Sequence, residues 1–135
     1  MGNRAFEVPG FQIPGLVAAE SLTGDQYRWV RLTEYNAVSE FDANTDMPIG
    51  VLQNKPASGE AAEVMATGIS FVVCGGSIDV SSNPRVGPDA AGKAVARAHG
   101  TDATKYVGGI ALSDGADGQI IPVLLVTPYL AVTGN

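Results

Sequence analysis

Few side chains in this sequence could carry out chemistry, and those few are isolated along the chain. His99 is the only histidine and Cys74 the only cysteine, so a Ser-His-Asp or Cys-His arrangement would have to use one of them. His99 stands in a turn-like stretch, whereas Cys74 ends an apolar run and is expected to be a small buried hydrophobe. One Cys and one His are also too few for a zinc site. The sequence therefore predicts no catalytic, cofactor-binding or metal-binding residues, and a protein that is not an enzyme.

Two acidic clusters have alternative interpretations. The stretch from Asp42 to Asp46 opens like an EF-hand calcium loop, but the sixth and twelfth positions hold Met47 and Gln53 instead of Gly and Glu. Asp114 and Asp117 could form a general acid–base pair, yet nothing around them indicates the burial that raises the pKa of a catalytic carboxylate. We favour Asx-rich turns at both places. A weak oxygen-lined cation site in the first cluster remains the alternative.

The overall charge argues against two classes of partner. The 135 residues carry a net charge of -6, and the eight basic residues are scattered, whereas a phosphate-binding surface needs clustered Lys and Arg. No apolar run approaches the roughly 18 residues of a membrane span, and no secretory signal is visible at the start. We expect neither a nucleic acid nor a membrane as partner, and synthesis in a reducing cytosol.

Strand-like segments follow one another through most of the chain. Each is rich in β-branched or aromatic residues and is bounded by Gly, Pro, Asn or Asp. The Ala-rich residues 89–99 could instead form a helix, but Gly92 disfavours one, and a hairpin that turns at 91–93 is the favoured interpretation. This spacing predicts an all-β fold, a small single-domain β-barrel or sandwich over residues 19–135. The predicted strands are 27–32, 36–41, 49–52, 61–66, 69–74, 77–80, 105–112 and 119–126.

Residues 1–18 differ from the rest and are predicted to be an extended N-terminal arm. Val8-Pro9-Gly10 and Ile13-Pro14-Gly15 repeat one unit in close succession, and proline both removes an amide donor and forces extended geometry on the residue before it. Apolar side chains on such an arm have few internal ways to be buried, so they are the candidate binding residues: Phe6, Val8, Phe11 and Ile13.

An internal repeat connects two parts of the predicted domain. When 49–65 is laid over 108–124, Gly50 matches Gly109 and Gly59 matches Gly118. Both copies contain a short strand led by Gly, a polar loop that ends in Gly, and a second strand. We therefore expect two related hairpins on opposite parts of one barrel.

The repeated segments carry a family resemblance. Gly50-Val51-Leu52, followed by a Pro/Ala/Gly loop and a strand that ends in Val64, resembles a segment of the tailed-phage capsid decoration (cement) proteins. Residues 107–125 are similar to the closing motif of that family, and residues 26–30 to its first strand. The resemblance implies a structural virion protein on the capsid exterior, made in the cytoplasm of a bacterial host, which binds the major capsid protein, stabilises contacts between its subunits and forms a homotrimer.

Two alternatives remain beside this implied function. One is a tail or fibre adaptor of a virion. The other is a glycan-binding surface module, for which Trp29 and Tyr27 could line a sugar-binding face, although a core aromatic is the favoured interpretation of Trp29.

Overall fold

Short strands make up the regular structure of the chain. A computed structural model describes residues 10–132, and within that range all regular elements are strands, which confirms the predicted all-β class. No helix of these residues is long and apolar enough to cross a membrane. The strands are β1 Gln12–Ile13, β2 Val17–Ala18, β3 Trp29–Glu34, β4 Ala37–Ser39, β5 Gly50–Leu52, β6 Val64–Met65, β7 Gly68–Val73, β8 Arg85–Pro88, β9 Ala94–Ala96, β10 Tyr106–Ala111 and β11 Ile120–Leu130.

The strands form two sheets that pack as a sandwich and do not close into a barrel. The first sheet has the order β1-β6-β5-β3-β4-β2 and the second the order β7-β11-β10-β8-β9. All strand pairs are antiparallel except β2 with β4. Of the two architectures that the spacing allowed, the sandwich is therefore the one that forms.

Part of the predicted arm belongs to the first sheet. Its β1 pairs with β6, and its β2 runs parallel to β4, so this segment supplies both edge strands of the sheet. Gly15 turns the chain between them with a φ of 81°, a conformation that favours glycine. Residues 12–18 thus form two short strands joined by a turn, and both strands are hydrogen-bonded to the domain. Residues 1–9 lie outside the described range.

Two local predictions have different outcomes. The hairpin over the Ala-rich segment is confirmed, because β8 pairs with β9 and Gly92 takes a φ of 80° in the turn between them. The strand predicted at 77–80 is wrong. It is a turn-rich stretch with a single bridge from Ile78 to Gly115, in which the Asp79 carboxylate accepts hydrogen bonds from the residues that follow it.

The register of strand pairing in the two sheets confirms the repeat. Val51 lies opposite Met65 in the first sheet, and Ile110, which matches Val51 in the repeat, lies opposite Leu124 in the second. The turns also match, since the Ala57 amide donates to Glu60 Oε1 and the Ala116 amide to Gln119 Oε1, both at 2.8 Å. The two hairpins nevertheless belong to different sheets, so the expectation that they share one barrel is wrong.

The repeat extends beyond these hairpins to both whole sheets. Val30 lies opposite Gly50, and Val86 lies opposite Gly109, the match of Gly50. Strands β6-β5-β3-β4 therefore correspond in order to β11-β10-β8-β9. We call residues 12–65 the first repeat and residues 68–130 the second repeat. Equivalent buried positions line the two cores: Leu16 and Val72, Ala18 and Cys74, Val30 and Val86, Val38 and Ala94, Leu52 and Ala111, Ala62 and Ile121, Val64 and Val123.

Trp29 joins the two repeats. Together with Val51 and Met65 it lies on the outer face of the first sheet, yet all three are at most 2% exposed and belong to the core cluster of the second repeat. The indole ring lies against Gly108, where an added Cβ would be 2.9 Å from the ring atoms. Trp29 is thus a core aromatic, as the sequence favoured, and its ring is covered by the second repeat.

Candidate functional site

The first acidic cluster is a turn closed by an ion pair. Asp46 Oδ2 accepts hydrogen bonds from the amides of Asp42 and Ala43 at 3.0 and 3.1 Å. The Arg31 guanidinium lies 2.7 Å from Asp42 Oδ2 and 3.5 Å from Asp46 Oδ2. The single charge of Arg31 offsets half of the charge of these two carboxylates, and across residues 10–132 no group of three or more potential metal ligands comes together.

The remaining candidate reactive groups are placed apart. Cys74 is buried in the core of the second repeat, and burial, aided by the charge of Asp117, raises the pKa of its thiol. His99 is exposed in the turn after β9 and packs edge-on against Tyr129 at 6.1 Å between ring centroids. Asp114 and Asp117 are exposed, and Asp114 Oδ1 accepts a hydrogen bond from the Val80 amide.

Arg97 is a buried cation that binds backbone carbonyls. Its guanidinium donates to the carbonyl oxygens of Pro88 and Tyr106, and it is 4% exposed. Burial lowers the pKa of Arg97, while the charges of Asp102 and Asp89 oppose that shift. By linking β9 to β8 and β10, this side chain holds the edge of the second sheet in place.

The four candidate binding residues of the arm have different environments. Phe11 is 58% exposed, although its backbone is fixed, because its amide donates to Thr67 Oγ1 and its carbonyl accepts from the Ala66 amide. Ile13 is half-buried and packs against the core of the first repeat. Phe6 and Val8 lie outside the described residues. Phe11 is therefore the described arm residue that remains available to a partner.

A larger apolar surface lies on the outer face of the second sheet. Residues directly opposite each other in antiparallel strands share a face, which places Ile69, Ile110 and Leu124 in one row and Phe71 and Pro122 in the next. Ile120, Leu124 and Leu112 are 50%, 41% and 43% exposed. We call this surface the open face; its members are Ile69, Phe71, Val73, Ile110, Leu112, Ile120, Pro122, Leu124 and Val126, of which Pro122 is buried and Phe71 packs edge-on against Tyr27.

The sequence reasoning missed the open face, although one signal was present. Residues 120–126 read Ile-Ile-Pro-Val-Leu-Leu-Val, a continuous apolar run without the alternation of a strand that has one face in water. Such a run is typical of a strand covered on both faces. In β11 the core of the second repeat covers the inner face, whereas on the outer face Ile120 and Leu124 are exposed and Pro122 between them is buried.

Comparison with known proteins shows a shared fold. No family model matches the sequence, and no curated protein is significantly similar to it. Among solved structures, the chain is similar to the N base of the head fiber protein gp8.5 of bacteriophage phi29, with a TM-score of 0.61 and 18% sequence identity. The match covers 89% of this chain and 95% of that one. The two chains thus have the same fold over nearly their whole lengths.

Proposed function

We propose that this chain is a structural protein of a phage virion, which binds the outer face of the assembled capsid and stabilises contacts between major capsid subunits. The observation that carries the proposal is the fold shared with a phage head fiber base over 89% of the chain. The resemblance of residues 50–64 and 107–125 to capsid decoration proteins supports the same assignment from the sequence side.

The proposed mechanism is mass action on assembly. A protein that binds the assembled shell but not its free subunits shifts the equilibrium toward the shell. Phe11 and the apolar residues Phe6 and Val8 are the proposed contacts with the major capsid protein. Burial of one large apolar side chain contributes about 1.5–3 kcal/mol before ordering costs. Those costs are reduced for Phe11, because hydrogen bonds already fix its backbone.

We also propose that the protein acts as a homotrimer on the capsid exterior. Three copies would place three sets of arm contacts on the shell at once, and linked weak contacts give high overall avidity. The trimer follows from the family resemblance.

The test uses phage particles that lack this protein. Purified protein is added, and binding is measured by co-sedimentation, the site by cryo-electron microscopy, and the temperature of DNA release by dye fluorescence. We expect saturable binding on the outer shell and a higher release temperature. Failure to bind intact particles of the cognate phage would contradict the proposal.

A fibre base or adaptor is the second candidate, favoured because the structural neighbour is itself described as a fiber base. The same micrographs distinguish the two functions. Density confined to the lattice of the shell supports decoration, whereas density that continues into a projecting fibre supports the adaptor.

A further inference from the structure

The two repeats differ in what covers one equivalent row of side chains. In the first repeat this row contains Trp29, Val51 and Met65, which are buried because the second repeat packs over them. The equivalent row of the second repeat contains Arg85, Ile110 and Leu124, and within residues 10–132 it has no such cover: Arg85 is exposed, Ile110 half-buried and Leu124 41% exposed. The contact between the two repeats shows that one repeat can pack on this row of another.

Two further positions of the open face are more apolar than the fold requires. The first repeat has Gln53 and Ala61 at the positions where the second has Leu112 and Ile120. Gln53 is half-buried and Ala61 is exposed, so a polar or a small residue satisfies the fold there. The larger apolar residues of the second repeat therefore have another role than folding, and exposed contiguous apolar surface is typical of interaction sites.

The open face is also free of acidic residues in an acidic chain. Its nine members are uncharged, and the charged residue in the same row, Arg85, is a cation, although the protein carries a net charge of -6. Two copies of such a protein repel each other over most of their surfaces. A face without carboxylates reduces that repulsion, and its apolar side chains add the free energy of burial.

We propose that the open face joins this chain to a second copy of itself. Within one chain, the second repeat covers the row that contains Trp29. Between copies, the first repeat of one copy would cover the equivalent row on the second repeat of the next copy. This inference rests on the homo-oligomer in the proposed function but not on capsid binding. It names the surface that holds the copies together.

The test measures self-association by analytical ultracentrifugation of the full chain. We expect the unmodified protein to form oligomers at micromolar concentrations, and Ile120→Glu to weaken the association by about tenfold or more, as for a central interface position. Ala61→Glu is the matched control, because it puts the same charge at the equivalent exposed position of the first repeat. It should associate like the unmodified protein.

A second variant separates interface loss from misfolding. Leu112→Gln introduces the residue that the first repeat has at the equivalent position, and we expect unchanged melting with weaker association. A monomeric unmodified protein, or equal effects of Ile120→Glu and Ala61→Glu, would overturn the inference. So would Ile120→Glu and Leu112→Gln proteins that associate normally.

Other occupants of the open face give distinct results. If the variants lose binding to phage particles while the unmodified protein alone is monomeric, the face contacts the capsid and self-association is refuted. If deletion of residues 1–9 strengthens association, that segment covers the face in the isolated chain, and the inference is again wrong. Normal self-association without particle binding would instead refute only the proposed function.

Discussion

At the residue scale, Gly50 and Gly109 have the same neighbours in the two repeats. A Cβ on Gly50 would be 2.6 Å from Val64 Cγ1 and 2.5 Å from the Met65 carbonyl oxygen. A Cβ on Gly109 would meet Val123 Cγ1 and the Leu124 carbonyl oxygen in the same way. The absence of a side chain at both positions is therefore a requirement of close strand packing.

Alanine at either position should destabilise the protein to a similar extent. We expect Gly50→Ala and Gly109→Ala each to lower the free energy of unfolding by about 1–3 kcal/mol through overpacking. Gly24→Ala is the matched control, since an added Cβ there meets nothing within 4 Å. Chemical denaturation measures all three. A silent change at one of the two crowded glycines would show that the hairpins are not structural equivalents.

Asp102 should make the free energy of unfolding depend on pH. Its carboxylate accepts a hydrogen bond from the Ala98 amide at 2.7 Å, and this bond, together with the charges of Arg97 and Lys105, lowers the pKa of Asp102. The folded pKa of Asp102 is below the unfolded value of about 3.9. The stabilisation by its carboxylate is therefore complete above that unfolded value and is lost as the pH falls through the folded pKa.

The measurement compares Asp102→Asn with the unmodified protein at several pH values. We expect the variant to be less stable in urea at pH 7, with a gap that narrows below about pH 4. Asp117→Asn, at an exposed loop position, should change stability little at either pH. A gap for Asp102→Asn that stays constant with pH would contradict this account.

At the element scale, most strands were predictable because each is bounded by turn-forming residues. The hairpin at Gly92 and the repeat from Gly50 onward followed from local residue types. The full repeat could not be recognised in this way, because the first and second halves of each repeat align at different sequence shifts. The segment 95–109 of the second repeat corresponds to the shorter segment 39–50 of the first. One shift therefore aligned only the second half.

The candidate site was less predictable, because it depends on pairing between distant segments. Ile13 lies opposite Val64, and no local pattern indicates that an arm segment pairs with a strand so much later in the chain. The open face depends on strand order and on how the repeats pack, so residue type alone did not reveal which face of β11 stays uncovered.

The loop glycines test the equivalence of the two hairpins. Gly59 and Gly118 take φ values of 85° and 87°, and an added Cβ on either meets nothing within 4 Å. Substitution by Ala should therefore cost backbone strain alone, about 1–2 kcal/mol at each position. Thermal melts of Gly59→Ala and Gly118→Ala should give matching decreases. Melting temperatures that differ widely would mean that the loops have different roles.

At the scale of the whole molecule, the arm separates capsid binding from folding. Residues 1–9 precede β1, so their deletion should leave the melting temperature unchanged but weaken binding to phage particles by about tenfold, equal to 1.4 kcal/mol. Phe11→Ala should weaken binding in the same direction, because its exposed ring is a proposed contact.

A longer deletion is the control for this measurement. Removal of residues 1–15 also removes β1 and its pairing with β6, and should lower the melting temperature. Full particle binding after deletion of residues 1–9, together with normal binding of Phe11→Ala, would refute a role of the arm in attachment.

The pairing of the first strand with the last in each repeat has a consequence for synthesis. Because β1 pairs with β6, the first sheet can be completed once residue 65 has left the ribosome, while the second repeat is still being made. At that stage the nascent chain exposes Trp29, Val51 and Met65 to solvent. Only residues 66 and 67 connect β6 to β7, so the second repeat emerges beside that surface at high effective concentration. The order of translation thus favours cover from the same chain over capture by a neighbouring nascent one.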